Sequence, residues 1–178
     1  MSNWRPGQRR PDTASMLRVD QAGEYGATRI YAGQLAVLRR NSPAAKLISR
    51  MADQEKRHLE RFDAMMTERG VRPTVLQPVW NLAGFALGAA TALMSEEAAM
   101  ACTEAVETEI DRHYGRQLED LGGDDPELAS DIAEFRADEV EHRDIARDAG
   151  AAQAVAYPFL TAAIRAGCRV AIGLSKRI

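Results

Sequence analysis

The chain has 178 residues, which suits one domain with a sizeable core; hydrophobic residues make up 46% of it and aromatics only 6%. Alanine is abundant and runs of Val, Ile and Thr are scarce, which favours helix over sheet. A formal net charge of −3 gives no basic footprint for nucleic acid, and Cys102 and Cys168, both in apolar stretches, read as reduced core thiols rather than a disulfide framework.

Residues 1–12 are polar, carry Arg5, Arg9 and Arg10, and have no apolar stretch of a secretory signal. They are expected to be disordered, leaving one domain over 13–178. A first helix is predicted from about Thr13 to Arg40. Asn41-Ser42-Pro43 then stops and restarts the chain, with Ser42 as N-cap and Pro43 at the first helical position. The second helix runs from about Pro43 to Arg69, and Gly70 stops it. After a loop with Pro73 and Pro78, helical pattern resumes near Val79 and continues to Leu121. That length is unusual for a globular helix, so a break is expected near Gly84 to Gly88 or at Ser95. Gly122-Gly123 ends it. Asp125-Pro126 opens the next helix, to about Asp148, and a last one covers roughly Ala152 to Leu174. The short turns at Asn41 and Gly122 imply two antiparallel helical hairpins.

The three histidines are His58, His113 and His142. Two share one local pattern: Glu55-x-x-His58 in the second helix and Glu139-x-x-His142 in the helix that follows Gly122-Gly123. Residues three apart lie on one helix face, so a carboxylate and an imidazole can reach the same metal. Two such pairs, with one further Glu from each of two other helices, make the di-metal site of carboxylate four-helix bundles. Glu24 stands 17 residues before the Asn41 turn and Glu55 stands 14 after it; Glu107 stands 15 before Gly122 and Glu139 stands 17 after it. At ~1.5 Å per residue both hairpins bring their carboxylates to a common level. The predicted fold is therefore all-α, a ferritin-like four-helix bundle with additional hydrophobic and amphipathic helical segments. Mixed oxygen and nitrogen ligation suits iron or manganese. Asp20, Asp138, Asp144 and Glu104 are candidates to orient the imidazoles. His113 lies six residues past Glu107 and is read as structural or supporting.

Leu82 to Ala90 is apolar all round a helix, with Gly84 and Gly88 spaced for close helix contact. Val79 to Met94 falls short of a normal membrane span. In the last helix Tyr157, Phe159, Leu160, Ile164, Val170 and Ile172 alternate with Arg165, Arg169, Lys176 and Arg177. Such a helix suits a membrane surface, and core or dimer-interface packing explains both segments equally well.

Arg18-Val19-Asp20-Gln21-Ala22-Gly23-Glu24-Tyr25-Gly26-Ala27, with Ile30-Tyr31-Ala32-Gly33-Gln34, resembles the opening motif of the demethoxyubiquinone hydroxylases. Glu55-Lys56-Arg57-His58-Leu59, Pro78-Val79-Trp80 with Gly84-Phe85-Ala86-Leu87-Gly88, and Ala101 to Glu107 resemble their following motifs. Phe135 to His142 and Ala166 to Ile172 resemble the last two. Gln21 stands where many members carry His. The resemblance implies a di-iron monooxygenase with Glu24, Glu55, His58, Glu107, Glu139 and His142 as ligands. It implies two irons cycling between Fe2+ and Fe3+, dioxygen as co-substrate, and NADH or another external electron donor, since no Gly-rich dinucleotide fingerprint is present. The substrate it implies is a demethoxy polyprenyl quinol, hydroxylated on the ring during ubiquinone synthesis. The implied location is peripheral, on the cytoplasmic face of a bacterial plasma membrane or the matrix face of the mitochondrial inner membrane. A homodimer and an accessory protein of ubiquinone synthesis are the further partners considered. The alternative role is a ferroxidase or peroxide scavenger of the ferritin or rubrerythrin kind.

Overall fold

The computed structural model of the protein describes residues 11–176, so the start expected to be disordered lies outside the described residues except for Pro11 and Asp12, and Arg177 lies outside them too. Asp12 caps the first helix by accepting from the Ser15 amide. The helices are α1 (Thr13–Val37), α2 (Pro43–Arg69), α3 (Gln77–Met94), α4 (Glu96–Leu121), α5 (Pro126–Asp148) and α6 (Tyr157–Ser175), with a short 3-10 turn at Ala151–Gln153. Among the described residues there is no strand, and the chain is an all-α bundle.

Local chemistry sets most of these limits. Ser42 with Pro43, and Asp125 with Pro126, cap and start α2 and α5 as expected, and Gly70 and Gly122 end α2 and α4 in the left-handed conformation. Two boundaries differ from the sequence expectation, the end of α1 and the start of α6, and of the two break points expected in the long stretch the structure uses Ser95. Helix α1 stops at Val37, not Arg40, because Leu38 turns extended and buries itself against Ala44, Ala45 and Ile48. The long predicted helix breaks at Ser95, whose extended backbone closes α3 and whose hydroxyl accepts from the Ala98 amide to open α4. The glycines of α3 stay helical. Helix α6 begins at Tyr157 rather than Ala152: Pro158 fixes the first turn, and Ala156 before it sits at φ 55°.

One stripe of α2 is buried: Ala44, Ile48, Met51, Glu55, His58, Phe62 and Met65. The matching stripe of α5 is Leu128, Ile132, Phe135, Glu139, His142 and Ala146. These are the spacings of a core-facing helix, and in both the glutamate and histidine take positions that apolar residues would normally fill. Apolar packing closes the two ends. Leu17, Phe62, Met65, Leu121, Leu128, Ile132 and Phe135 form one cluster. Ile48, Met51, Ala99, Met100 and Ala146 belong to the other.

Helix α3 lies on α1 with almost no space between backbones. A Cβ added at Gly88 would sit 1.9 Å from the Ile30 carbonyl oxygen, and one at Gly33 would sit 2.1 Å from that of Phe85. Helix α6 is clasped to α4 by polar side chains. Buried Glu109 accepts from Arg165 at 2.7 Å and Arg169 at 3.0 Å, and Glu104 accepts from Tyr157 at 2.8 Å. Because backbone cannot yield at the α1–α3 crossing, Gly88→Ala is expected to cost about 1–3 kcal/mol in urea unfolding. Gly23→Ala, whose Cβ meets nothing within 4 Å, is expected to hold or raise stability, by up to about 1 kcal/mol.

Candidate metal centre

All six residues singled out from the sequence meet midway along the bundle. Glu24 comes from α1, Glu55 and His58 from α2, Glu107 from α4, and Glu139 and His142 from α5. Each is between 0% and 2% exposed. Their ligand atoms form two overlapping groups. Glu24, Glu55, His58 and Glu139 make one, and Glu55, Glu107, Glu139 and His142 the other, with the atoms of each within 4.8 Å of one another. Glu55 and Glu139 belong to both groups and stand where bridging carboxylates would.

The imidazoles point Nδ1 inward. His58 Nδ1 lies 3.2 Å from Glu139 and 3.7 Å from Glu24; His142 Nδ1 lies 3.1 Å from Glu55 and 3.3 Å from Glu139. Their outer nitrogens are held from behind. His58 Nε2 is 3.0 Å from Asp138 Oδ2, and His142 Nε2 is 3.0 Å from Gln54 Oε1. A proton on each Nε2 leaves each Nδ1 free as a lone pair. Phe135 stacks on the His58 ring at 4.1 Å between centroids and fixes its plane. Two tyrosines hold two of the carboxylates: the Tyr31 hydroxyl donates to Glu107 at 2.6 Å, and the Tyr114 hydroxyl donates to Glu24.

What the centre leaves unsatisfied decides its chemistry. Glu24 Oε2, both oxygens of Glu55 and of Glu139, Glu107 Oε2, His58 Nδ1 and His142 Nδ1 are all buried without a hydrogen-bond partner. Native interiors rarely leave buried polar atoms orphaned, and here eight converge. Two divalent cations would neutralise the four carboxylates and use these lone pairs. The donor set of carboxylate oxygen and imidazole nitrogen, with no thiolate, fits iron or manganese.

The repulsion is visible in the proton affinities. Burial, then the other carboxylates, push Glu55 and Glu107 well above the usual carboxylate range. Burial raises Glu139 to about 7, tempered by His58. Burial alone would lower His58, but Glu139 and Glu24 outweigh it and carry it up to about 10. Burial opposes ionisation of Glu24, yet His58 and its other contacts hold that group below its ordinary value.

The carboxylates proposed to orient imidazoles divide. Asp138 does so for His58. Asp20 instead holds His113, at 3.0 Å, and accepts from Gln117 at 2.8 Å. Glu104 takes Arg147 and Tyr157, and Asp144 pairs with Arg143. Sequence reasoning missed Gln54, Tyr31 and Tyr114. The tyrosines had a signal, since each stands seven residues after a glutamate of the centre, Tyr31 after Glu24 and Tyr114 after Glu107.

Beside the centre is an apolar cavity of about 410 Å³ between α1, α3, α4 and α6. Its wall includes Gly23 and Val106, each the direct neighbour of a carboxylate of the centre. The outer faces of α3 and α6 that border it are apolar and exposed at Val79, Leu82, Leu93 and Met94, and at Phe159, Val170 and Leu174. No helix among the described residues is long and apolar enough to cross a membrane.

The sequence profile of the family described as ubiquinone biosynthesis protein COQ7 matches residues 11–175. A 3-demethoxyubiquinol 3-hydroxylase of Rhodospirillum rubrum is 54% identical over 162 residues, covering 91% of this chain and 76% of the relative. The NADPH-dependent 3-demethoxyubiquinone 3-hydroxylase, mitochondrial, of Homo sapiens is 54% identical over 167 residues, covering 92% and 76%. The 5-demethoxyubiquinone hydroxylase, mitochondrial, of Saccharomyces cerevisiae is 45% identical over 179 residues, covering 92% and 77%.

For protein stripped of metal, the raised groups set the sign of the pH dependence. A folded His58 at about 10 against 6.5 unfolded, with Glu55 and Glu107 also raised, means that the folded chain holds extra protons above neutrality. Stability is then lost as pH rises through these folded values. The melting temperature of chelator-treated protein is expected to fall from pH 7 to pH 10. Added Mn2+ at pH 8 should raise it, with release of protons. An apo protein that gains stability over that range would contradict the assignment.

Proposed function

Because this chain belongs to the COQ7 family of ubiquinone biosynthesis proteins, we propose that it is the hydroxylase of a demethoxy polyprenyl quinol, using two irons held by Glu24, Glu55, His58, Glu107, Glu139 and His142. The convergence of eight orphaned, buried ligand atoms is the observation that carries the metal reading. Bound iron supplies the activation of dioxygen. One oxygen atom replaces a ring hydrogen as hydroxyl and the other leaves as water, which requires two electrons and two protons. An external reduced pyridine nucleotide is the proposed electron source, NADH or the NADPH that the human relative's name gives.

The chain's own part is placement. Tyr31 and Tyr114 fix the carboxylates of Glu107 and Glu24, Asp138 and Gln54 fix the rings, and Glu55 and Glu139 would be shared between the two ions. The apolar cavity takes the quinol ring next to Glu24 and Glu107 and keeps water from it. The exposed apolar faces of α3 and α6, the helices that line it, suit a substrate whose polyprenyl tail stays in lipid. The protein on this reading rests on the membrane surface, at the cytoplasmic face of a bacterial plasma membrane or the matrix face of the mitochondrial inner membrane. A ferroxidase or peroxide scavenger needs no such apolar cavity, and the cavity favours the hydroxylase.

The test incubates iron-loaded protein with a demethoxy quinol, a reductant and isotopically labelled dioxygen. One labelled atom is expected in each product molecule, and an unlabelled product rejects the assignment. Gly23→Leu, which points a side chain into the cavity, is expected to raise KM for the quinol by on the order of tenfold while iron content is kept. A KM unchanged in that variant would remove the cavity from the substrate path.

A further inference from the structure

The centre is built from two halves that repeat each other. Glu24 and Tyr31 on α1 correspond to Glu107 and Tyr114 on α4, and Glu55 and His58 on α2 correspond to Glu139 and His142 on α5. The repeat extends to function: each tyrosine crosses to the other half's glutamate. It also extends outward, because Gln34 and Gln117 occupy matching positions ten residues after Glu24 and Glu107.

This symmetry fails directly behind the histidines. The residue before Glu55 is Gln54, and the residue before Glu139 is Asp138. Each reaches across to the histidine of the other half, and both contacts are 3.0 Å. The geometry is matched and the charge is not. His58 is backed by a carboxylate and His142 by a neutral amide. A carboxylate accepting the Nε2 proton draws it more strongly than an amide oxygen does, and so makes the opposite nitrogen a better electron donor. It also adds a negative charge near the cation. A second break has the same sense. Asp20 stands four residues before Glu24, and Thr103 holds the matching place before Glu107. Gln117 donates to Asp20 at 2.8 Å, whereas Gln34 approaches the Thr103 hydroxyl at 3.4 Å.

We infer that the two cation positions are inequivalent and that Asp138 and Gln54 act as the positioning residues that make them so. The position bounded by Glu24, Glu55, His58 and Glu139 holds a divalent ion more tightly than the one bounded by Glu55, Glu107, Glu139 and His142. The inference rests on the reading of this cluster as a metal centre.

Cobalt(II) alone, titrated into chelator-stripped full-length protein, reads this out without any turnover, by calorimetry and by the visible absorption of the bound ion. The natural sequence is expected to bind two ions in two resolved steps. His142→Ala should keep the tight step and His58→Ala should lose it. Asp138→Asn should weaken the tight step by about 10–100-fold, and Gln54→Glu should tighten the weak one. Circular dichroism checks each variant's fold; should Asp138→Asn not fold, Gln54→Glu decides alone. Two ions bound with one constant, or an Asp138→Asn or folded Gln54→Glu protein with both steps unmoved, would overturn the inference while leaving the metal centre intact. Protein that binds no cobalt would reject the centre itself, and this inference with it.

Discussion

Four carboxylates buried within reach of one another are the constraint on which the rest of this structure depends. Glu24, Glu55, Glu107 and Glu139 are each at most 1% exposed, and at such separations in a low-dielectric interior their mutual repulsion and desolvation are severe. A fold that tolerates this must bring compensation from all sides. Two imidazoles enter from α2 and α5, two tyrosine hydroxyls cross between α1 and α4, and protons or cations take up the remainder. The apolar clusters at the two ends of the bundle supply the stability that this polar middle does not.

The same logic explains how much of the protein could be read from its sequence. The six residues of the centre were legible because a glutamate and a histidine three apart occur twice, each on a helix whose partner carries a glutamate in register. The caps at Ser42 and Asp125 and the stops at Gly70 and Gly122 were legible because their side chains or missing Cβ act within one turn. What escaped depends on tertiary contact. Leu38 leaves α1 to join a core its neighbours in sequence do not reveal. Gln54 looks like one more polar residue until its contact with His142, a chain distance of 88 residues away, is seen. Asp20 was expected to orient a ligand histidine and holds His113 instead, a contact between α1 and α4 that spacing within either helix does not give.

The glycines show how one residue type performs opposite tasks a few positions apart. Gly33 and Gly88 remove side chains so that the α1 and α3 backbones can touch. Gly23 and Gly26 border the apolar cavity, and a Cβ at either would meet nothing within 4 Å. The first pair closes α3 onto the bundle and the second keeps room beside the centre.

The core stripe of α2 and α5, with its acids and imidazoles in places meant for leucine, carries an evolutionary corollary. Adding or deleting one residue between a turn and its nearest ligand would swing that ligand by roughly 100° around the helix axis, out of the centre. Length changes would therefore be accommodated best in the connections, such as the stretch between Arg69 and Gln77, while the arms between turn and ligand behave as fixed rulers.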